Sequence, residues 1–381
     1  MEVDKFVYLE SVDYADLNEI LISWRRDNPQ MGVLALACEA EKDAVPGLQK
    51  IFSDLGIPLA GAVFPELVVD GAFKKRGILI SLLKRMPAHI VLKGLSKHGN
   101  ALDSSIEELA GFVTASGQKG RKDTLFLIID AMIPTIATIL DSLYFKLADM
   151  VSYMGVNAGS ETFQPMPCVF TEKEFTGDAL LALILPDHEG ASLEHGYIMP
   201  EEMITATSTS GNRIINIDWK PAFEVYARMA QSRYGVEVTK ENFYQMGVHF
   251  PFGIIRADDE VLVRIPVALE EDGSLFCVGE IPENAILTLL AAPESGSTAT
   301  VDALTDRLKN KYRNFVLTFY CAGRRLHLGA AAENELGALS ERLSPARIAG
   351  ALSLGEIGSS IQGGYPLFHN GTIVCASWDN L

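Results

Sequence analysis

Hydrophobic positions follow two rhythms along this chain, one at helical spacing and one in short unbroken runs. Asp13 is placed to cap a helix in which Leu17, Ile20, Leu21 and Trp24 form one apolar face. Met31–Cys38 is an uninterrupted apolar run and predicts a buried strand. The pattern then predicts a helix over Lys42–Leu55 and strands over Pro58–Val63, Gly77–Leu83 and Ile90–Leu95. A helix over Ser104–Ala115, a strand over Thr124–Asp130 and a helix over Pro134–Ala148 follow. Helices and strands in alternation point to an α/β layered arrangement.

Beyond residue 150 strands dominate, at Val151–Asn157, Cys168–Thr171 and Ala179–Leu185. The polar stretch from Thr205 to Asn212 reads as a linker and sets the expected boundary, giving domains 1–210 and 211–381. After it come a strand at Arg213–Asp218 and a helix opened by Pro221, with Phe223, Tyr226 and Met229 on its apolar face. Leu262–Leu269 and Ser274–Val278 predict a hairpin around Asp272-Gly273, a pair that tolerates positive φ. Ala285–Ala292 and Phe315–Cys321 predict strands, and helices are expected around Val301–Leu308 and over Ala331–Leu343.

One motif repeats. Gly61 and Gly77 bracket a crossing between strands, Gly355 and Gly371 bracket another of equal length, and Gly155 to Gly177 make a longer one. Asn370-Gly371 carries a type I′ hairpin signal. The expected fold is therefore mixed α/β (α+β): two related halves of mixed sheet and flanking helices, built on duplicated strand–glycine loop–hairpin units.

Composition narrows the function. With 32 Lys+Arg against 49 Asp+Glu the formal net charge is −17, too acidic for a phosphate-backbone or anionic-lipid surface. The apolar runs Leu180–Leu185 and Leu289–Pro293 fall far short of the ~20 residues that cross a bilayer, and the acidic N-terminus does not read as a signal peptide. Five scattered cysteines (Cys38, Cys168, Cys277, Cys321 and Cys375) are expected to be reduced and buried, which suits a cytoplasmic protein. A small ligand or a protein partner remains.

Signatures for nucleotide-phosphate loops, nucleophile elbows and paired metal-ligand cysteines are missing from the sequence. The glycine loops are the remaining places for a ligand, because glycine lets the backbone approach closely. Gly355–Gly364 is the densest, and Glu356 or Gln362 could orient a ligand there; the simpler reading is a long hairpin crossing. Asn157, Gly159 and Glu161 occupy the matching place in the middle unit, and Phe64-Pro65-Glu66 the place in the first. Cys321 and Arg324 follow a strand, where α/β proteins place ligands; a buried thiol and a structural ion pair are the alternative. Cys321 with His327 as base would make a nucleophile only if both faced one cavity. His195 and His249 sit in unusual apolar settings that suit either a hydrogen-bonded core imidazole or a haem ligand.

An ordered set of segments in the second half resembles the carboxyl-terminal part of the FIST family of sensory proteins. It runs from Gly211-Asn212-Arg213 through His249-Phe250-Pro251-Phe252-Gly253, Asp272–Cys277 and Cys321-Ala322-Gly323-Arg324 to Gly355-Glu356-Ile357 and Phe368-His369-Asn370. The first half resembles the amino-terminal FIST region through Pro58–Gly61 and Gly155–Gly159. The family commonly carries Gly-Asp where this chain has Gly159-Ser160, so Glu161 would have to supply that carboxylate. The resemblance implies a non-enzymatic intracellular sensor of a small molecule that signals through a separate partner, such as a histidine kinase or a cyclic-di-GMP enzyme. For an amino-acid-like ligand it places Arg324 on the carboxylate and Glu356 on the ammonium. One branch is described as haem-binding and nitric-oxide-sensing, with His195 ahead of His249 as the expected axial ligand here. A Cys321-dependent enzyme is the alternative of another class.

Overall fold

The computed structural model of the chain describes residues 6–11, 13–97, 99–117, 122–256, 260–294, 296–308, 312, 314–359 and 364–379. The first copy of a repeated unit comprises β1 (Phe6–Leu9), α1 (Tyr14–Asp27), β2 (Gly32–Cys38), α2 (Val45–Leu55), β3 (Leu59–Phe64), the hairpin β4 (Leu67–Val69) and β5 (Ala72–Lys74), and β6 (Ile78–Leu83). Asp13 caps α1 as expected, its side chain accepting from Ala15 N and Asp16 N. The second copy comprises β7 (Ala88–Lys93), α3 (Asn100–Ser116), β8 (Asp123–Asp130), α4 (Ile136–Leu147), β9 (Val151–Ala158), the hairpin β10 (Val169–Thr171) and β11 (Phe175–Thr176), and β12 (Ala179–Leu185).

The third copy opens with β13 (Ser192–Glu194) and is then interrupted by an inserted antiparallel layer. The insertion holds β14 (Ile204–Ser210), β15 (Arg213–Ile217), β16 (Lys220–Pro221), α5 (Ala222–Tyr234), α6 (Phe243–His249), β17 (Phe252–Ile255), β18 (Val261–Arg264), β19 (Pro266–Leu269), β20 (Leu275–Cys277) and β21 (Ile286–Leu289). The unit resumes with α7 (Ala299–Leu308), β22 (Phe315–Cys321), α8 (Ala322–Leu328), α9 (Ala331–Leu343), β23 (Arg347–Ser353), the hairpin β24 (Glu356–Gly358) and β25 (Leu367–His369), and β26 (Ile373–Ser377).

Three six-stranded sheets share one order: edge strand, last strand, first strand, second strand, then a hairpin from another unit. They read β1-β6-β2-β3-β10-β11, β7-β12-β8-β9-β24-β25 and β13-β26-β22-β23-β4-β5. Each unit lends its hairpin to the preceding unit, and the first lends its own to the third, so the cycle closes and none of these three sheets is built from one unit alone. The expected mixed α/β fold with duplicated strand–glycine–hairpin units is present, and the duplication runs to three.

The repeated glycine has a steric cause. Gly61, Gly155 and Gly350 sit mid-strand, each paired in parallel to Ala35, Leu127 or Thr318. A Cβ there would come within 2.3, 2.4 and 1.8 Å of the carbonyl oxygen of that partner. The register thus aligns Gly350, rather than Gly355, with Gly61.

Inward faces of the three sheets form one core in which Phe319 stands 5.9 Å from Phe64 and 6.1 Å from Phe126. Two expectations are corrected. The Thr205–Asn212 stretch is mostly strand β14 rather than a linker. Asn370-Gly371 does not close a hairpin, since β25 pairs with β24 while β26 pairs with β22 and β13 in another sheet.

Candidate functional site

Cys38, Asp130 and Cys321 end the first strands of the three units, opposite Phe64, Ala158 and Ser353 in the parallel ladders. Beside the third lies a cavity of about 250 Å³. Glu161 and Phe163 enter it from the loop after β9, Tyr244 and Val248 from α6, and Cys321, Ala322, Gly323 and Leu326 from the β22–α8 corner. Ile265, Val267, Val278 and Leu354 complete an apolar wall, and Asn370 adds an amide. Two expected residues, Glu161 and Cys321, therefore meet in one cavity, although 160 positions separate them in the chain.

Glu356 stands behind Cys321 rather than in the cavity. It is fully buried, and Ser353 Oγ donates to its Oε1 at 2.6 Å while Thr372 Oγ1 and N donate to Oε2 at 2.6 and 3.4 Å. The Cys321 thiol also hydrogen-bonds this carboxylate, and Gly371 N–H donates to Cys321 Sγ at 3.1 Å. Burial raises the Glu356 pKa to about 7 against these donors. Burial and then the neighbouring Glu356 push the Cys321 thiol well above its ordinary value, which opposes formation of the nucleophilic thiolate.

Arg324 is fully buried with every donor committed. Nε and Nη2 grip Glu335 Oε2 and Oε1 at 2.7 and 2.6 Å, and Nη2 also reaches Thr300 Oγ1 at 2.9 Å. Nη1 donates to the carbonyls of His195 (2.5 Å) and Gly371 (3.2 Å). Burial works against its charge, but Glu335 more than offsets that and raises the pKa. The guanidinium has no N–H left for a ligand carboxylate, and Glu356 has no face toward an ammonium. Their expected roles are corrected to an internal clamp and an internal hydrogen-bond hub.

Asn157 is buried next to the hub, its N–H donating to Gly355 O at 2.8 Å and its carbonyl accepting from Leu354 N at 3.1 Å. Its Oδ1 has no partner among the described residues. Gly159 holds φ at 131° and donates to Val63 O at 2.9 Å, turning the chain toward Glu161. Burial foremost, and then Glu66, raise the Glu161 pKa, with Arg325 opposing. Arg325 forms an ion pair with Glu66 at 2.5 Å. Gln362 lies outside the described residues.

The histidines do not fit an axial ligand as placed. His195 Nδ1 accepts from Tyr197 N–H at 2.9 Å, and its ring also hydrogen-bonds the Val261 backbone. Neither His195 nor His249 lines the cavity, whose volume is below the roughly 300–1,000 Å³ of ordinary ligand pockets. His249 Nδ1 faces His327 Nδ1 at 2.6 Å, and burial lowers the pKa of both rings. His327 is thus turned toward His249, and among the described residues no hydrogen bond joins it to Cys321. No group of three or more His, Cys, Asp or Glu among them could hold a metal ion.

Tyr244 and Glu335 do not stand out in the sequence, and Asn370 does so only as a turn residue and in the Phe368-His369-Asn370 segment. Glu335 had one available signal, a carboxylate on the helix next to the β22–α8 corner. Tyr244 and Asn370 become site residues only when α6 and β25 are brought together at the cavity.

The cavity is lined from both halves of the chain, and both halves match sensory domains of one family. Residues 33–220 match the FIST N domain and residues 222–359 the FIST C domain. The chain belongs to the FIST family. No curated protein matches it. No helix among the described residues is long and apolar enough to cross a membrane.

Proposed function

We propose that this chain is a non-enzymatic sensor, acting in the cytoplasm, that closes its FIST N and FIST C regions around a small ligand in the 250 Å³ cavity. The observation that carries the reading is the composition of that cavity: Glu161 and Phe163 come from one matched region, and Tyr244, Val248 and Cys321 from the other. A ligand touching both binds the closed arrangement better, and only such differential affinity can shift a conformational balance. Apolar walls with one carboxylate suit a ligand with an apolar body and a cationic or donor end, an amino-acid-like molecule or amine. Glu161 takes the ammonium in this reading, and Cys321 stays a protonated, packed wall residue. Asn157 and Gly159 position the Glu161 loop. The signal passes to a separate protein, a histidine kinase or a cyclic-di-GMP enzyme being the kind the family suggests.

Titration calorimetry with the twenty common amino acids and with phenethylamine as probes tests this. At least one probe with an apolar side chain should bind, and Glu161→Gln should weaken it about tenfold or more while leaving the unfolding temperature unchanged. Binding unaffected by Glu161→Gln would refute the placement. A Cys321-dependent enzyme would instead lose turnover in Cys321→Ala with affinity kept. A haem-based nitric oxide sensor would give a Soret band on reconstitution that His195→Ala removes; the engaged ring nitrogens of His195 argue against that outcome.

A further inference from the structure

Residues at or just beyond the ends of β18 and β25 are divided between the first cavity and a second pocket. Ile265 and Asn370 face the first cavity, while Arg264 and Phe368 face a space of about 370 Å³ between α4 and the inserted sheet. Arg264 is 2% exposed. Its Nε donates to Glu280 O at 3.1 Å, and its Nη1 donates to Val263 O and Phe368 O at 3.0 and 2.8 Å. Gly279, at φ 96°, makes the room, since a Cβ there would lie 3.0 Å from Arg264 Nε and 2.8 Å from the Phe368 ring.

Arg264 lacks what Arg324 has. No carboxylate lies within ion-pair distance of it among the described residues, and Nη2 has no hydrogen-bond partner among them. The pocket's own acids do not fill the role. Glu280 spends Oε2 and Oε1 on Thr138 N (3.1 Å) and Thr138 Oγ1 (2.5 Å), and Asp141 Oδ1 accepts from Tyr365 OH at 2.8 Å. Glu283 is exposed at the rim, as is Arg256, which stacks over the Tyr365 ring. Burial foremost pulls the Arg264 pKa down to about 10, with Arg256 adding to the fall and Cys277 and Glu280 offsetting only part of it. Buried charges in proteins are ordinarily paired, because an isolated one is costly to desolvate.

We propose that this second pocket is an anion site in which Arg264 Nη2 holds the carboxylate or phosphate group of a small metabolite. Arg256 at the rim adds a second positive charge, so the site takes one oxyanion at its floor and leaves the rest of the molecule toward solvent. The reading is independent of the ligand assigned to the first cavity. The two are joined through β18 and β25, so an anion here would bear on Ile265 and Asn370.

Thermal unfolding of the full chain at constant ionic strength, set with sodium chloride, tests it. The probes are inorganic phosphate and succinate, each to about 20 mM, which also separates a phosphate source from a carboxylate one. At least one probe should raise Tm in a saturable way, because a ligand that binds only the folded state stabilises it. Arg264→Gln should abolish the rise. If that variant does not fold, Ala137→Trp, which fills the pocket from α4 and leaves Arg264 in place, should abolish it while Tm without anion stays near wild type. Glu161→Gln, in the first cavity, should keep the full response. No saturable rise with either probe, or the same rise in Ala137→Trp, overturns the proposal.

Discussion

The chemistry of individual residues here is set by how completely each buried charge is matched. Arg324 and Glu335 form a two-point pair with Tyr320 OH adding a third contact at 2.6 Å, a fully satisfied cluster. Glu356 is different, a lone carboxyl satisfied only by hydroxyl, thiol and amide donors. Its folded pKa, near 7, lies above the ordinary 4.5, so the folded chain binds the proton more tightly than the unfolded one. The pH-dependent cost of burying it is therefore absent below about pH 4.5, grows as pH rises from there, and levels off above about 7. The cost reaches about 3 kcal/mol. The difference in unfolding free energy between Glu356→Gln and wild type, followed from pH 5 to 8 in urea, should move in favour of the variant by about that amount. A difference constant with pH would show that Glu356 is ionised in the fold at acid pH too.

Elements were legible where one local cause decided them. The Asp13 cap, the apolar run Gly32–Cys38 and the hairpin at Gly273 (φ 82°) follow from residues within a few positions. Strand β14 was hidden because Thr and Ser follow Ile204 and Ala206, a half-buried pattern that resembles a linker in composition although the strand pairs on both sides, with β15 and β21. The glycine repeat was visible, but spacing alone matched Gly61 with Gly355, whereas ladder register matches it with Gly350. Gly350→Ala drives a methyl into the Thr318 carbonyl and should destabilise by at least about 3 kcal/mol. Gly337→Ala, in α9 with open space around it, should stabilise by up to about 1 kcal/mol. Chemical denaturation of the two variants side by side checks both, and equal effects would refute the steric account.

At the scale of the molecule, hairpin exchange ties the chain's two regions together. β4–β5 from the first unit completes the sheet of β22 and β23, and β24–β25 from the third completes the sheet of β8 and β9. No sequence pattern reveals such exchange, because it is a contact between segments some 200 to 300 residues apart. The same holds for the candidate site: Cys321 and Glu161 were marked individually, but the roles expected of Arg324 and Glu356 depended on partners that only folding supplies. Residues 1–210 expressed alone should lack a cooperative unfolding transition, since β9 and the β4–β5 hairpin lose their neighbours. Co-expressed with residues 211–381, they should copurify and regain it. A monomeric 1–210 fragment with a sharp transition would contradict the interlocked architecture.

In the proposed function one small ligand draws both FIST regions together. Hydrogen exchange of the full chain, with and without the amino acid or amine that binds most tightly, addresses it directly. Residues 159–164 in the first region and 244–248 and 321–326 in the second should gain protection together, and lose it together in Glu161→Gln. Protection confined to one region, or none with any probe, would contradict it.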